Sequence, residues 1–246
     1  MRRRAAAPFQ GDRGLAAIKG DSRIKLLDAA EELFARKGYD ATTTREIAAK
    51  SGDTLGTLNY HFGSKRNLLE QILQRRFVVV AEGRERYYRD ACAEGTDGRP
   101  SLDGVVRAIA LPYFDLALSG DPGWRHYVAL LSRIREAGDN DLQRFYFNFA
   151  EPTMRQGMIW LGEAVPMASA RALAYCYEFS TMLALGTCTD IARERLHKLS
   201  DDPASGADAH RHALLSFVVN GVRAVLDQDL QRANAVKADA VKAARR

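Results

Sequence analysis

The 246 residues hold only three cysteines, five histidines, seven prolines and two tryptophans. Each scarcity removes a class of function. Cys92, Cys176 and Cys188 form no CxxC pair and are odd in number, so they read as free thiols in a reducing compartment rather than a disulfide framework. His126 and His197 stand alone, and His210 and His212 are two apart, a spacing that points to different helix faces and excludes a paired metal ligand. A glycine-rich phosphate loop and a GxSxG elbow are both missing, so the sequence argues against an enzyme and calls for no cofactor. No stretch approaches the ~20 apolar residues of a membrane span. Met1-Arg2-Arg3-Arg4 is charged but has no apolar run behind it, as a signal peptide would, and a cytoplasmic protein with no membrane partner is expected.

What is present is a charge imbalance. The net charge is +5, but residues 1–76 carry 15 Lys+Arg against 9 Asp+Glu, while residues 77–246 are nearly balanced. The N-terminal third is therefore the part expected to meet phosphates. Residues 1–20, rich in Arg, Ala and Gly without apolar period, read as a flexible basic arm, of the kind that can enter a minor groove.

Helical periodicity starts at Asp21-Ser22, with Ile24, Leu27, Ala30 and Phe34 on one stripe, and Gly38 ends it. Thr43 with Glu46 three residues on has the form of a capping box that opens a short helix to about Lys50. Ser51-Gly52-Asp53 reads as a turn, Thr54 as the cap of a third short helix, and Ser64 as the cap of a long helix to about 91. Gly95 to Pro100 reads as a linker. Further helices are expected at about 101–118 (kinked by Pro112), 123–137, 140–163, 167–197 and 207–230, with a frayed or disordered tail over 231–246. No period-two run suggests a strand. The expected class is all-α, of about nine or ten helices: a DNA-binding unit over 21–76 and a larger helical ligand-binding and dimerisation domain over 100–230.

Two short helices joined by a tight glycine turn make a helix-turn-helix. Ala48, Ala49 and Gly52 are small where the helices cross, and Ile47, Leu58 and Phe62 can anchor the second helix. Thr44, Arg45, Thr54, Leu55, Thr57, Asn59, Tyr60, His61 and Lys65 are the candidate DNA-contacting residues, a mix suited to phosphates and base edges. The segment Arg23 to Leu69 resembles the DNA-binding domain of the tetracycline-repressor (TetR) family. The resemblance is carried by Ala29-Ala30-Glu31-Glu32-Leu33-Phe34, Gly38-Tyr39, Thr43-Thr44-Arg45-Glu46-Ile47-Ala48 and, most specifically, Gly56-Thr57-Leu58-Asn59-Tyr60-His61-Phe62-Gly63-Ser64-Lys65. It implies that Arg45 and Thr57 contact phosphate or base and that Tyr60, His61 and Lys65 contact phosphate. Asn59 departs from the family's usual Tyr and would favour adenine. Asp53 and Leu55 also depart from the usual residue types.

The resemblance further implies a homodimeric repressor that binds an inverted-repeat operator in double-stranded DNA and is released by a small organic inducer. Tyr113, Trp124, Tyr127, Phe145, Phe149, Met158 and Tyr177 are candidate pocket residues, with Arg133, Arg155 and Glu178 as possible polar partners. Ala168, Ala172, Leu214, Val218 and Val222, on the last two long helices, are the candidate dimer face. The competing reading is a helical ligand-binding or interaction module without useful DNA affinity.

Overall fold

The computed structural model describes residues 22–137, 141–189, 192, 194, 195, 198 and 206–244, with side chains of the last helix described through 236. The expected basic arm lies outside the described residues, as does most of the loop around Asp201-Asp202-Pro203.

The described residues form nine helices and no strand: α1 (Ser22–Lys37), α2 (Thr44–Ser51), α3 (Leu55–Phe62), α4 (Lys65–Glu94), α5 (Leu102–Ala117), α6 (Pro122–Glu136), α7 (Asp141–Ala164), α8 (Ala170–Thr187) and α9 (Ala207–Ala244). Local chemistry sets most of these boundaries. Thr43 and Glu46 complete the capping box: the Thr43 hydroxyl accepts from the Glu46 amide at 3.2 Å, and the Glu46 carboxylate accepts from the Thr43 amide at 2.8 Å. Gly38 (φ +88°) and Gly52 (φ +77°) end α1 and α2 in the left-handed region, which costs glycine nothing. Between α4 and α5, Asp97 and Gly98 both have positive φ inside an isolated Thr96–Arg99 bridge, so the expected linker is a tight reversal.

Two expectations need correction. The helix expected over 167–197 is α8, which ends at Thr187; Cys188 is its C-cap. The last helix does not stop near 230 but runs on to Ala244, because the Ala/Lys/Arg run there has high helix propensity and nothing to break it. Pro112 lies inside α5, which runs unbroken from Leu102 to Ala117. Its ring lies against Gly83 of α4, where a Cβ would stand 3.3 Å away, so these two helices approach closely at a glycine.

Leu26, Ala30 and Phe34 of α1, Ile47 of α2, Leu58 and Phe62 of α3 and Leu68, Leu69 and Ile72 of α4 are all buried and form the core of the N-terminal unit. α5, buried along nearly its whole length, is the centre of the larger unit, enclosed by α4, α7, α8 and α9. α6 bridges the two units, packing on α1 at one side and on α5, α7 and α8 at the other. No described helix is long and apolar enough to cross a membrane.

Candidate DNA interface and its regulatory domain

The second helix of the helix-turn-helix is positioned by its buried face. Leu58 is fully buried and Phe62 nearly so, with Thr54 capping the Thr57 amide at 3.1 Å. What this leaves outward is Thr54, Asn59 and Tyr60, with Arg45 exposed on the neighbouring α2. Tyr60 is 85% exposed, unusual for a tyrosine with no partner beyond the edge of His61. Among the described residues, Arg45, Asn59, Tyr60 and His61 hold no hydrogen bond or ion pair through their side chains, so a cation, an amide, a phenol and an imidazole share one uncommitted surface. Thr44, Leu55, Thr57 and His61 are half-buried at its rim.

Lys65, at the start of α4 as expected, also has partners within the chain. Its ammonium donates to the carbonyls of Tyr39 and Thr42, each at 3.0 Å, and sits 4.4 Å from the centre of the Tyr39 ring. Two of its three N–H groups thus tie the start of α4 to the α1–α2 loop, leaving one for any phosphate. Asp53, whose amide donates to the Ala48 carbonyl at 2.9 Å, has one carboxylate oxygen buried without a partner. Lys37 donates to Glu46 at 2.7 Å, and that contact, with the Thr43 bonds, lowers the Glu46 carboxyl to about 2.

The N-terminal unit is bolted to the rest by buried charge. Glu31 of α1 is 1% exposed; its carboxylate accepts from Arg75 at 2.9 Å and from the Arg76 Nε and Nη2 at 2.9 and 2.6 Å. Arg76 also reaches Asp121 at 3.7 Å and lies 4.4 Å from the Trp124 ring, both at the start of α6. At the other end of α6, Arg133 donates to the Arg36 carbonyl of α1 at 3.2 Å.

Four of the expected pocket residues, Tyr113, Tyr127, Phe149 and Tyr177, converge on a cavity of about 20 Å³ between α4, α5, α6, α7 and α8. Trp124 does not reach it, being held by Arg76. Phe145 instead faces Arg66, 4.6 Å from the ring centre, and Met158 packs elsewhere on the core. Of the polar candidates, Glu178 pairs with Arg135, Arg155 pairs with Glu151 at the surface, and Arg133 is spent on α1. The sequence reading missed Phe77, Arg135, Tyr146 and Thr153, which line the cavity. Burial pushes the Tyr146 phenol up to about 12 and raises those of Tyr113 and Tyr127 further, so all three are neutral donors at neutral pH.

The expected dimer residues are largely covered by the chain itself. Ala172, Leu214, Val218 and Val222 are 3–6% exposed and pack within the chain, and Ala168 is half-buried. Their helices present a different face outward. Tyr175, Phe179 and Met182 of α8 and Phe217 of α9 are 50–69% exposed, and Gly186 and Gly221 face open space. An apolar groove of about 310 Å³ runs between the two helices, with Phe179, Leu183, Phe217 and Val225 on its walls and the expected Val218 and Val222 also lining it.

Residues 26–72 match the family model for bacterial regulatory proteins of the tetR family, and residues 107–221 match that of the tetracyclin repressor-like C-terminal domain; together they cover about two thirds of the chain. Among individual proteins, the HTH-type transcriptional repressor KstR2 of Rhodococcus jostii is 41% identical over 88 residues, 36% of this chain and 41% of that one. The HTH-type transcriptional activator FasR of Mycolicibacterium smegmatis is 34% identical over 125 residues, 50% of this chain and 53% of that one. The chain thus matches less than two thirds of the length of these curated relatives. Among solved structures, the ketosteroid transcriptional regulator KstR2 of Mycobacterium tuberculosis superposes with a TM-score of 0.53 at 16% identity, covering 82% of this chain and 95% of that one. GusR of Salmonella enterica gives 0.51 at 19%, covering 84% and 95%. At these identities the structural likeness concerns the fold.

Proposed function

This chain belongs to the TetR family of bacterial regulatory proteins, and we propose that it acts as a homodimeric repressor that leaves its operator when a small organic molecule binds. The observation that carries the DNA reading is the uncommitted polar surface of α2 and α3: Arg45, Asn59, Tyr60 and His61 stand free of partners above a helix fixed by Leu58 and Phe62. Arg45, His61 and the remaining N–H of Lys65 meet phosphates, while Thr57 and Asn59 read base edges in the major groove.

One α3 makes too few contacts for operator-level affinity, so two act together. The exposed apolar face of α8 and α9 supports a two-fold contact between copies, with Gly186 and Gly221 permitting close approach. A two-fold pair places its recognition helices about 34–36 Å apart, or a multiple of that distance, on an inverted repeat.

α6 couples ligand to DNA. Its Tyr127 lines the cavity, its Asp121 and Trp124 engage Arg76, and its Arg133 holds the end of α1. Filling the cavity displaces α6, and α1 carries the helix-turn-helix with it, shifting the population to a dimer whose half-site spacing no longer fits. Repression is taken as the sign from KstR2; FasR, an activator by name, shares the motif. The test is selection of bound fragments from the source genome, footprinting on the winner, and a reporter with and without the chain. Protection of a single half-site, or reporter output that falls when the chain is removed, would refute the dimeric repressor.

A further inference from the structure

Arg84 of α4 is 2% exposed, and among the described residues no acidic side chain pairs with it. Its Nη1 donates to the Tyr177 hydroxyl at 3.3 Å; its Nη2 is buried with no hydrogen-bond partner. The rings of Trp160 and Tyr177 flank it at 5.5 and 5.6 Å. The other deeply placed guanidinium groups are neutralised differently, Arg76 by Glu31 and Arg135 by Glu178. A buried cation costs several kcal/mol unless a counter-charge meets it, and ring faces recover only part of that.

Arg84 stands directly behind Tyr177, a wall of the cavity between α4, α5, α6, α7 and α8, and in close contact with α7. Gly157 of α7 stands where a Cβ would lie 2.8 Å from Nη2 and 2.4 Å from the Tyr177 ring, so no larger residue fits. Thr153, one turn earlier on the same face of α7, lines the cavity with Tyr177, and its hydroxyl is also buried without a partner. A positive charge behind Tyr177 and an unused hydroxyl beside it thus mark one end of a cavity whose other walls include Phe77, Tyr113, Tyr127, Phe149 and the Glu178-paired Arg135.

We infer that the regulatory ligand is an organic acid: its carboxylate pairs with Arg84 and accepts from Thr153 and Tyr177, while an apolar body lies among the aromatic side chains. A planar guanidinium fits a carboxylate through two parallel N–H bonds, and the freed Nη2 supplies one of them. The cavity of about 20 Å³ is far below the several hundred Å³ of an occupied ligand site. The body therefore enters by parting the aromatic wall, which moves α6 through Tyr127. This inference rests on the ligand-responsive reading above and narrows its ligand class.

The experiment uses the full-length chain without DNA and two matched pairs of probes, phenylacetate with phenylacetamide and octanoate with octanamide. Binding is read by thermal shift and by the fluorescence of Trp160, which lies against Arg84, in wild type, Arg84→Met, Arg84→Lys and Thr153→Val. At least one acid should bind wild type about ten- to a hundred-fold more tightly than its amide. Arg84→Met should abolish that preference, Arg84→Lys should retain part of it, and Thr153→Val should weaken the acid with little effect on the amide. Without probe, Arg84→Met should melt at or above the wild-type temperature, since it removes an uncompensated charge. Equal binding of acid and amide, binding of neither acid, or a marked loss of stability in Arg84→Met would each overturn the assignment. Operator release is measured separately: acid binding that leaves the DNA complex intact would keep the site and refute the inducer mechanism instead.

Discussion

Glu31→Gln removes one negative charge from the most heavily used carboxylate described in the molecule and leaves its shape unchanged. Glu31 accepts from two guanidinium groups, and each keeps a weaker partner when it is neutralised: Arg75 retains Asp28 at 2.7 Å, and Arg76 retains Asp121 at 3.7 Å. Both fallback carboxylates are about half exposed, so water screens them. Breaking a buried pair by removing one partner costs about 3–5 kcal/mol, and the fallback contacts place this case near about 3. For a chain of this size that corresponds to about 6–12 °C in melting temperature, read by circular dichroism at helical wavelengths. Because the pair joins α1 to α4 and to the start of α6, operator affinity should fall along with stability. The double variant Glu31→Leu with Arg76→Met, which replaces the ion pair by apolar groups, should recover most of the melting temperature. A Glu31→Gln protein melting within about 2 °C of wild type would refute the reasoning.

Other outcomes follow from the remaining surfaces. Arg45→Ala and His61→Ala should each weaken binding to all sequences alike and lower the log–log salt slope by about 0.9 per lost phosphate contact, measured by fluorescence anisotropy across a salt series. Asn59→Ala should relax base preference at symmetry-related positions, by about 1–3 kcal/mol for each lost bidentate contact, in a selection on randomised operators. Phe217→Glu should leave the melting curve nearly unchanged yet yield monomers in sedimentation, whereas Val218→Glu should unfold the α8–α9 pair. Glu46 has its folded carboxyl depressed to about 2 from an unfolded value near 4.5, so its contribution is present above the unfolded value and is lost as pH falls toward 2. A side-chain carboxyl titration should find that midpoint, and Lys37→Ala should move it upward.

The helix-turn-helix was legible because its signals are local. Thr43 with Glu46, Gly52 and Thr54 each act within four residues, and the structure uses each as its chemistry suggests. The structural duty of Lys65 was not legible because its partners, the carbonyls of Tyr39 and Thr42, lie more than twenty positions away and carry no residue-type signature. Arg84 was passed over for a related reason. It stands in Glu82-Gly83-Arg84-Glu85-Arg86, which reads as a solvated face, and the close approach of α7 at Gly157 together with Tyr177 of α8 covers it. The one available hint was glycine inside two helical segments, Gly83 and Gly157, each marking contact with another helix.

The proposed dimer face shows a different limit, that of periodicity itself. Leu214, Val218, Val222 and Leu226 form an apolar stripe at helical spacing, and such a stripe marks the side that is covered without saying by what. In α9 the chain's own α5 and α8 cover it. A helix that also meets a second copy needs apolar groups on a second face, which breaks the amphipathic pattern instead of reinforcing it. Tyr175, Phe179, Met182 and Phe217 are that excess: large apolar side chains on the outer faces of helices whose inner faces are already filled. The sequence signature of the proposed association through α8 and α9 is therefore apolarity beyond what one buried stripe requires. Phe217→Glu and Val218→Glu, adjacent in sequence but one exposed and one buried, separate the two roles by giving monomers in the first case and unfolding in the second.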